Sequence, residues 1–280
     1  ASAAGRAAEL PVWTSMLRDS SPLPLHRPLD RTVDTVGTQQ DLRVVLPREV
    51  TEPLLGPAPA AYGAGVDDVL LAALALAVGD WRRRHGGAAG NAVLVDVEGH
   101  GRAEELLDGA ELSRTVGWFT SVHPLCPDTG DIDLDTAAGD PSAAARAVDR
   151  VREHRATVPD GGIGYGLLRH LDPATAPVLA GLPAPQIEFN YLGRFGYTRS
   201  GSEEEWAAVS GEEEAAEVSM DDGMPLGHAL SVTAMAQDLP GGPQLVVHWS
   251  WPAGVLDEEA VEDLARTWSG ALSALVRAAG

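Results

Sequence analysis

The sequence contains no lysine and almost no cysteine. All 20 basic residues are arginine, against 41 acidic residues, so the formal net charge is −21. A chain this acidic lacks the basic surface that nucleic acids and anionic membranes require, and we expect neither as a partner. The single Cys126 excludes an internal disulfide bond, and the eight histidines are scattered. The sequence therefore predicts no metal site.

Long hydrophobic runs are also missing. The longest apolar run, Val69 to Val78, has ten residues, whereas a membrane-spanning helix needs about 20. No signal peptide opens the chain, so we expect a cytoplasmic location. The first residues are Ala-Ser-Ala-Ala-Gly, without a methionine, and we expect the chain to be part of a longer protein.

Helical and strand patterns alternate along the 280 residues, of which 44% are hydrophobic. This interleaving predicts an α/β fold, in which helices pack on a mixed sheet. The strand at 92–98 is nearly all apolar, so we expect both of its faces to be buried. Strands are predicted at 42–46, 92–98, 186–191, 228–237 and 244–251, and helices at 66–85, 141–156, 164–171 and 257–277.

Two segments do not follow this pattern. Residues 1–40 include Pro22, Pro24 and Pro28, and we predict an extended lead-in rather than core structure. Residues 201–222 contain two runs of three glutamates, and we predict an exposed acidic excursion between two strands.

The segment that brings the most candidate catalytic side chains together is Val-Asp-Val-Glu-Gly-His-Gly-Arg at 95–102. We expect the strand to end at Glu98, and the glycines at 99 and 101 to permit a sharp bend and close backbone approach. Burial at the strand end should raise the pKa of Glu98 toward neutrality, which suits proton transfer. His100 is interpreted as a turn histidine rather than a catalyst.

Four motifs occur in order: Glu-Gly-His-Gly-Arg at 98–102, Ser-Arg-Thr-Val-Gly-Trp-Phe-Thr-Ser at 113–121, Gly-Ile-Gly-Tyr-Gly at 162–166 and Phe-Asn-Tyr-Leu-Gly at 189–193. Together they resemble the epimerization domains of nonribosomal peptide synthetases, which belong to the condensation-domain superfamily. The resemblance covers essentially the whole chain. It implies a chloramphenicol-acetyltransferase-like lobe, with a mixed, mainly antiparallel sheet packed with helices.

Such domains have two similar lobes, and the N-terminal lobe carries a His-His-x-x-x-Asp motif that this sequence lacks. The resemblance therefore implies that residues 41–280 are the C-terminal lobe and that residues 1–40 lead in from a missing N-terminal lobe. This fragment alone should be inactive. The family usually has Glu directly after the motif arginine, whereas here Ala103 precedes Glu104, which puts a role for Glu104 in doubt.

The reaction implied is L-to-D epimerization of an aminoacyl or peptidyl thioester on a peptidyl carrier protein. It needs a base on one side of the α-carbon, an acid on the other and a group that stabilises the enolate. No metal or soluble cofactor is implied, because the thioester acidifies the α-proton and the carrier supplies the phosphopantetheine arm.

The resemblance also implies roles for individual residues. Glu98 is the base or acid, opposite a histidine of the missing lobe. Asn190 and Tyr191 would bind the enolate oxygen or the thioester, and Arg102 would hold either Glu98 or the corner in place. Thr120, Ser121 and Trp118 are candidates for the wall of the phosphopantetheine tunnel, although Trp118 and Phe119 are interpreted first as core packing.

Two alternatives remain open. One is a condensation domain that forms peptide bonds in the same scaffold. The other is a non-catalytic lobe that docks a carrier protein or recruits a partner. A product assay with loaded donor and acceptor carriers separates the condensation reading from epimerization. The non-catalytic reading predicts that Glu98→Gln leaves the stereochemistry of the product unchanged.

Overall fold

The computed structural model describes residues 3–18, 21–87, 90–106, 109, 111–196 and 220–280. A six-stranded sheet forms the centre. Its strands are β1 (Gln39–Leu46), β2 (Val95–Gly99), β3 (Ser121–Leu125), β4 (Ile187–Gly196), β5 (Leu230–Leu239) and β6 (Gly242–Pro252). They lie in the order β1-β6-β5-β4-β2-β3. β2 pairs parallel with β4 and β4 parallel with β5, and the other neighbours are antiparallel. The predicted mixed, mainly antiparallel sheet is confirmed.

Helices cover one face of this sheet. The helices at 66–84 and 258–278 contribute many of the buried core residues. In chain order, the helices are α1 (Leu10–Arg18), α2 (Arg48–Leu54), α3 (Pro57–Tyr62), α4 (Val66–Arg84), α5 (Leu134–Gly139), α6 (Pro141–Ala156), α7 (Ile163–Gly166), α8 (Ala176–Ala180) and α9 (Glu258–Ala278). α7 continues as one π-helical turn, Leu167–Leu171, so the predicted helix at 164–171 is present in two geometries.

α4 is buried on all sides from Val69 to Val78. It packs against α6 and α9 and shares one hydrophobic cluster with the buried residues of the sheet, which is why its sequence is apolar around its whole circumference. Acidic residues occupy its first turn and three arginines its last, so charges at both ends oppose the helix dipole. α9 is amphipathic instead, and its buried Trp268 meets Trp249 of β6 edge to face at 5.8 Å.

Alternation along the strands gives the sheet two different faces. In β5, Leu230, Val232 and Ala234 are buried against the helices, whereas Ser231 and Thr233 lie half-buried on the opposite side. We call that opposite side the polar face. The register aligns Asp96 of β2 with Glu188 of β4, and Glu188 with Ser231 of β5, so polar residues of three strands share it.

The prediction that β2 is buried on both faces is wrong. Val95 is buried, but Asp96, Val97 and Glu98 are only half-buried. The acidic residues of this strand alternate with valines, so one face of β2 belongs to the core and the other to the polar face.

The extended lead-in is wrong for residues 10–18, which form α1. Trp13 and Leu17 of this helix are fully buried in a second hydrophobic cluster with Leu168 and Leu179. Pro11 does not prevent the helix because it lies in the first turn, where a backbone N–H has no partner within the helix. The prolines at 22–28 indicate extended chain only for their own segment. Most of the predicted acidic excursion, residues 201–219, lies outside the described residues.

Candidate functional site

The corner after β2 depends on Gly101. Its φ is 62°, and a Cβ atom placed there would lie 1.6 Å from the carbonyl oxygen of Phe119. Only glycine permits both the left-handed backbone and this close approach. Gly99 has a different environment: it is the last residue of β2 and pairs with Ser121 of β3. The predicted bend is therefore made by Gly101.

Glu98 and Asn190 are brought together by parallel pairing of β2 and β4, where Val97 aligns with Phe189. Asn190 donates a hydrogen bond from Nδ2 to Glu98 Oε2 at 2.5 Å. Burial raises the pKa of Glu98, and the neighbouring Glu188 raises it further by like charge and by a hydrogen bond. The direction agrees with the sequence-based expectation for a carboxyl group at this strand end.

A cleft of about 860 Å³ opens at this end of the sheet. β2, β4 and the Thr120 side of the corner form one wall, and the first turn of α4 and the end of α6 form another. Four of the predicted site residues line it: Glu98, Thr120, Asn190 and Tyr191. Sequence reasoning did not identify Asp67 of α4 or Arg155 of α6, which also line it and form an ion pair at 3.4 Å.

Tyr191 is half-buried beside the core while lining the cleft. Neighbouring residues of a strand point to opposite faces, so Tyr191 and Asn190 reach the cleft from different sides of β4. Burial raises the pKa of the Tyr191 phenol. The phenol is therefore protonated at neutral pH and able to donate a hydrogen bond.

Arg102 stabilises the corner after β2 and not the side chain of Glu98. Its guanidinium donates to the carbonyl oxygens of Leu112, Thr115 and Gly117, and stacks 4.4 Å above the ring of Phe119. Each of these contacts ties the 112–119 loop to the end of β2. Among the hydrogen bonds of the described residues, none joins Arg102 to Glu98. Of the two roles considered for Arg102, the structure supports the one in the corner.

Glu104 has a similar structural role. Its carboxylate accepts hydrogen bonds from the backbone N–H groups of Leu112 and Ser113. Glu104 therefore stabilises the same loop through its backbone N–H groups, whereas Arg102 binds the carbonyl oxygens of the loop.

The core interpretation of Trp118 is wrong, because its side chain is 90% exposed. Phe119 is half-buried beneath Arg102. The loop is held by hydrogen bonds to its carbonyl groups, so its side chains need not be buried. Among the described residues that line the cleft, neither Trp118 nor Ser121 is present.

We expect Trp118→Ala to change the free energy of unfolding by less than about 0.5 kcal/mol, because little of this ring leaves water on folding. Buried Trp268→Ala is the matched control and should cost at least about 3 kcal/mol. Urea unfolding followed by circular dichroism measures both. A loss for Trp118→Ala close to that of the control would show that the ring is packed in solution.

His100 is a turn histidine, as predicted: its Nδ1 accepts a hydrogen bond from the backbone N–H of Arg102 at 3.0 Å. His123 of β3 was missed. It is 8% exposed, lines the cleft, and burial lowers its pKa to about 4, so its ring is neutral at physiological pH. A Cβ on Gly162 would lie 2.1 Å from His123 Nδ1, which explains one glycine of the 162–166 motif.

Four further residues of the polar face were missed: Asp96, Glu188, His228 and Ser231. His228 Nε2 contacts Asp96 Oδ2 at 2.8 Å, and Ser231 Oγ donates to Glu188 Oε2 at 2.9 Å. Alternation along β2 predicts that Asp96 and Glu98 share one face of the strand. Alternation along β4 predicts the same for Glu188 and Asn190. Their association across strands depends on the register.

No set of three or more potential metal ligands is gathered in the parts of the chain that the structure describes. In those same parts, no helix combines the length and apolar character needed to cross a bilayer.

Comparison with known proteins identifies relatives along nearly the whole chain. A linear gramicidin synthase of Brevibacillus parabrevis is 34% identical over 274 residues, which are 94% of this chain and 5% of that protein. Chondramide synthase of Chondromyces crocatus is 40% identical over 195 residues, covering 69% of this chain and 4% of the relative. The chain thus spans only a small part of the curated relatives it matches.

Two solved structures share the fold. The epimerization domain from the third module of tyrocidine synthetase B superposes with a TM-score of 0.76 at 26% identity, covering 99% of this chain and 57% of that one. The X-domain from teicoplanin biosynthesis gives a TM-score of 0.61 at 18% identity, covering 97% and 55%, a likeness of fold alone. Residues 6–277 match the family model of the condensation domain. With the sheet, the cleft and these matches in agreement, the chain belongs to the condensation-domain family.

Proposed function

We propose that this chain is the catalytic C-terminal lobe of an epimerization domain, which inverts the α-carbon of an aminoacyl or peptidyl thioester. The observation that carries the proposal is the carboxyl group of Glu98, half-buried in the cleft with a raised pKa and fixed by Asn190. The likeness to a solved epimerization domain at 26% identity supports it.

Inversion requires that the α-proton leaves one face of the substrate and that a proton arrives on the other. A thioester carbonyl stabilises the enolate formed between these steps. A half-buried carboxyl group with a raised pKa suits proton transfer better than a fully solvated one, because its pKa is moved toward the pH at which the reaction runs. Glu98 provides one of the two groups. We propose that the second is a histidine of a preceding N-terminal lobe.

Asn190 and Tyr191 have different roles in this mechanism. The Asn190 amide is hydrogen-bonded to Glu98, so it orients the carboxyl group. The Tyr191 phenol lines the same cleft in its protonated form, so it is the candidate donor to the enolate oxygen. A preorganised donor of this kind stabilises charge where it develops.

A peptidyl carrier protein is the proposed partner, and its phosphopantetheine arm presents the thioester. We propose that the arm enters past Thr120, which lines the cleft beside the corner. The mechanism needs no metal or soluble cofactor, since proton transfer at an acidified carbon needs only an acid and a base.

Hydrogen exchange tests the proposal. The chain, joined to its N-terminal lobe and given a carrier loaded with an L-aminoacyl thioester, should incorporate deuterium from D₂O at the α-carbon and produce a mixture of L and D forms. Chiral chromatography and mass spectrometry of the released amino acid measure both. We expect no exchange from the 280-residue chain alone. An absence of exchange with both lobes and a loaded carrier would contradict the proposal.

Peptide-bond formation is the second candidate, favoured by the match of residues 6–277 to the condensation-domain model. It predicts a dipeptidyl thioester when loaded donor and acceptor carriers are both supplied. Epimerization needs only one carrier, so a single-carrier reaction separates the two.

A further inference from the structure

One buried polar side chain of the cleft takes no part in the proposed proton transfer. His123 of β3 is 8% exposed and lines the cleft. Resting on the proposed function, we propose that His123 determines substrate specificity: its neutral imidazole donates a hydrogen bond from Nε2 to an oxygen atom in the side chain of the amino acid that is inverted.

The ring of His123 lacks a hydrogen-bond partner within the part of the chain that the structure describes. Its Nδ1 atom is buried and unpaired there. A buried polar group without a partner destabilises a protein, whereas leucine or phenylalanine at the same position would avoid that cost. Native proteins pair nearly all such groups, and exceptions occur mainly at functional sites. An imidazole at this position therefore indicates a bound group.

The packing around His123 decides which of its nitrogens carries the proton. A Cβ on Gly162 would lie 2.1 Å from Nδ1 and 2.2 Å from Cγ, so Gly162 lies directly against that edge of the ring. Burial lowers the pKa of His123 to about 4, so only one nitrogen is protonated at neutral pH. A buried N–H without an acceptor is rarer than a buried acceptor without a donor, which assigns the proton to Nε2. The ring is also held by Trp13, which it meets edge to face at 6.3 Å.

His123 and Glu98 lie on opposite faces of the sheet. His123 pairs with Val97 across the ladder between β2 and β3, and Glu98 pairs with Val122. Paired residues share a face and successive residues alternate, so His123 points to the helix side and Glu98 to the polar face. The cleft includes both side chains. A substrate whose α-carbon lies at Glu98 therefore meets His123 with a different part of the molecule.

The part of the cleft on the helix side is its closed end. Leu71 of α4 and Phe189 of β4 line it and are at most 1% exposed. A phosphopantetheine arm needs a channel that is open from the surface to the reacting carbon, whereas the side chain of an amino acid needs an opening at one end only. The closed end therefore fits the side chain rather than the arm.

The walls of the closed end and its donor select the chemical class of side chain. Leu71, Val97 and Phe189 are apolar, and His123 supplies a neutral N–H. A neutral amide or hydroxyl side chain gains a hydrogen bond from this donor, whereas a full charge among apolar walls is far more costly to bury. Asp67 and Arg155 also line the cleft and form an ion pair with each other, so their charges offset one another. The expected substrates are thioesters of amino acids with a neutral, oxygen-bearing side chain.

Matched substrates test this inference in the two-lobed domain. Asparagine and leucine side chains have nearly the same shape, but only asparagine carries an oxygen atom. The kcat/KM for α-hydrogen exchange is measured with carriers loaded with each, and the ratio of asparaginyl to leucyl substrate is compared between variants. A general loss of structure affects both substrates and leaves the ratio unchanged.

His123→Asn should lower this ratio by about three- to tenfold, the usual contribution of one hydrogen bond. The asparagine amide nitrogen occupies the position of Nδ1 beside Gly162, so the donor is lost from the position of Nε2. We expect the change in KM rather than kcat, because the contact is made equally in the ground state and the transition state.

His123→Gln is the conservative variant, because its longer side chain places an amide nitrogen at the position of Nε2. Its ratio should stay within about twofold of the wild-type value, less than the contribution of one hydrogen bond. The matched control is His26→Gln, which removes an exposed histidine paired with Asp257 on the surface and should leave the ratio unchanged. An unchanged ratio in His123→Asn, or equal losses in both His123 variants, would overturn the inference.

A measurement without catalysis separates this inference from the proposed function. Nitrogen NMR of the wild-type protein with isotope-labelled histidine should find His123 neutral at neutral pH, with its proton on Nε2. The pantetheine amide of asparagine should shift that resonance more than the pantetheine amide of leucine. A proton on Nδ1, or equal shifts with the two amides, contradicts the inference even if the variants do not fold. If the wild-type protein exchanges no α-hydrogen with either carrier, the proposed function fails, and the NMR result still decides the role of His123.

Discussion

Glu98→Gln is expected to reduce the rate of α-hydrogen exchange by about 100- to 10,000-fold, the usual contribution of a general acid or base. Glutamine has the shape of glutamate but neither gives nor takes a proton at neutral pH. It retains a carbonyl oxygen that can accept the hydrogen bond from Asn190 Nδ2. The substitution therefore removes the chemistry while the geometry of the cleft is kept.

Deuterium incorporation at the α-carbon, measured in the two-lobed domain with a loaded carrier, gives the rate. Glu52→Gln is a suitable control because Glu52 is exposed and pairs with Arg48 on the surface of α2. It should leave the rate unchanged. Product stereochemistry that is the same in Glu98→Gln and in the wild type would favour the reading of a non-catalytic, carrier-docking lobe.

Arg82→Met is expected to lower the free energy of unfolding by about 3 kcal/mol or more, because each buried carbonyl group left without its donor costs about 1–3 kcal/mol. The Arg82 side chain is completely buried at the end of α4. Its guanidinium donates to the carbonyl oxygens of Ser21, Gly90 and Ala92 at 2.7, 2.8 and 2.8 Å. Methionine fills most of the space, but it leaves three carbonyl groups without their donor.

Urea unfolding followed by tryptophan fluorescence measures the loss. The control is Arg266→Met, because Arg266 is 70% exposed and its pair with Asp263 spans 3.6 Å. An exposed pair of this kind contributes about 0–1 kcal/mol. Equal losses for the two substitutions would show that the buried network contributes no more than a surface ion pair.

Helices with strong end signals were predicted almost to the residue. α6 has the predicted bounds, Pro141–Ala156, and α4 ends one residue before the predicted limit. Asp140 caps α6 and Pro141 occupies its first turn, and such signals are local in sequence. α1 was not predicted, because the prolines at 22–28 indicate extended chain and their signal does not extend to the helix before them.

The environment of single side chains was harder to predict. Trp118 is hydrophobic, yet it is exposed on a loop that Arg102 and Glu104 hold through backbone groups. Hydrophobicity gives the tendency of a side chain to be buried, whereas the path of the backbone decides whether burial takes place. Both faces of β2 were predicted to be buried for a similar reason.

The sequence by itself determined the α/β class, the ends of the long helices and the identity of the residues that carry the proposed chemistry, because each depends on patterns within a few residues. Only the tertiary structure decided which of them meet. Glu98 and Asn190 are 92 residues apart in sequence, and the parallel register of β2 and β4 brings them into contact. The same register places Glu188 beside Asp96 of β2. Pairing between distant strands is set by packing of the whole sheet against its helices, and no local pattern contains that information.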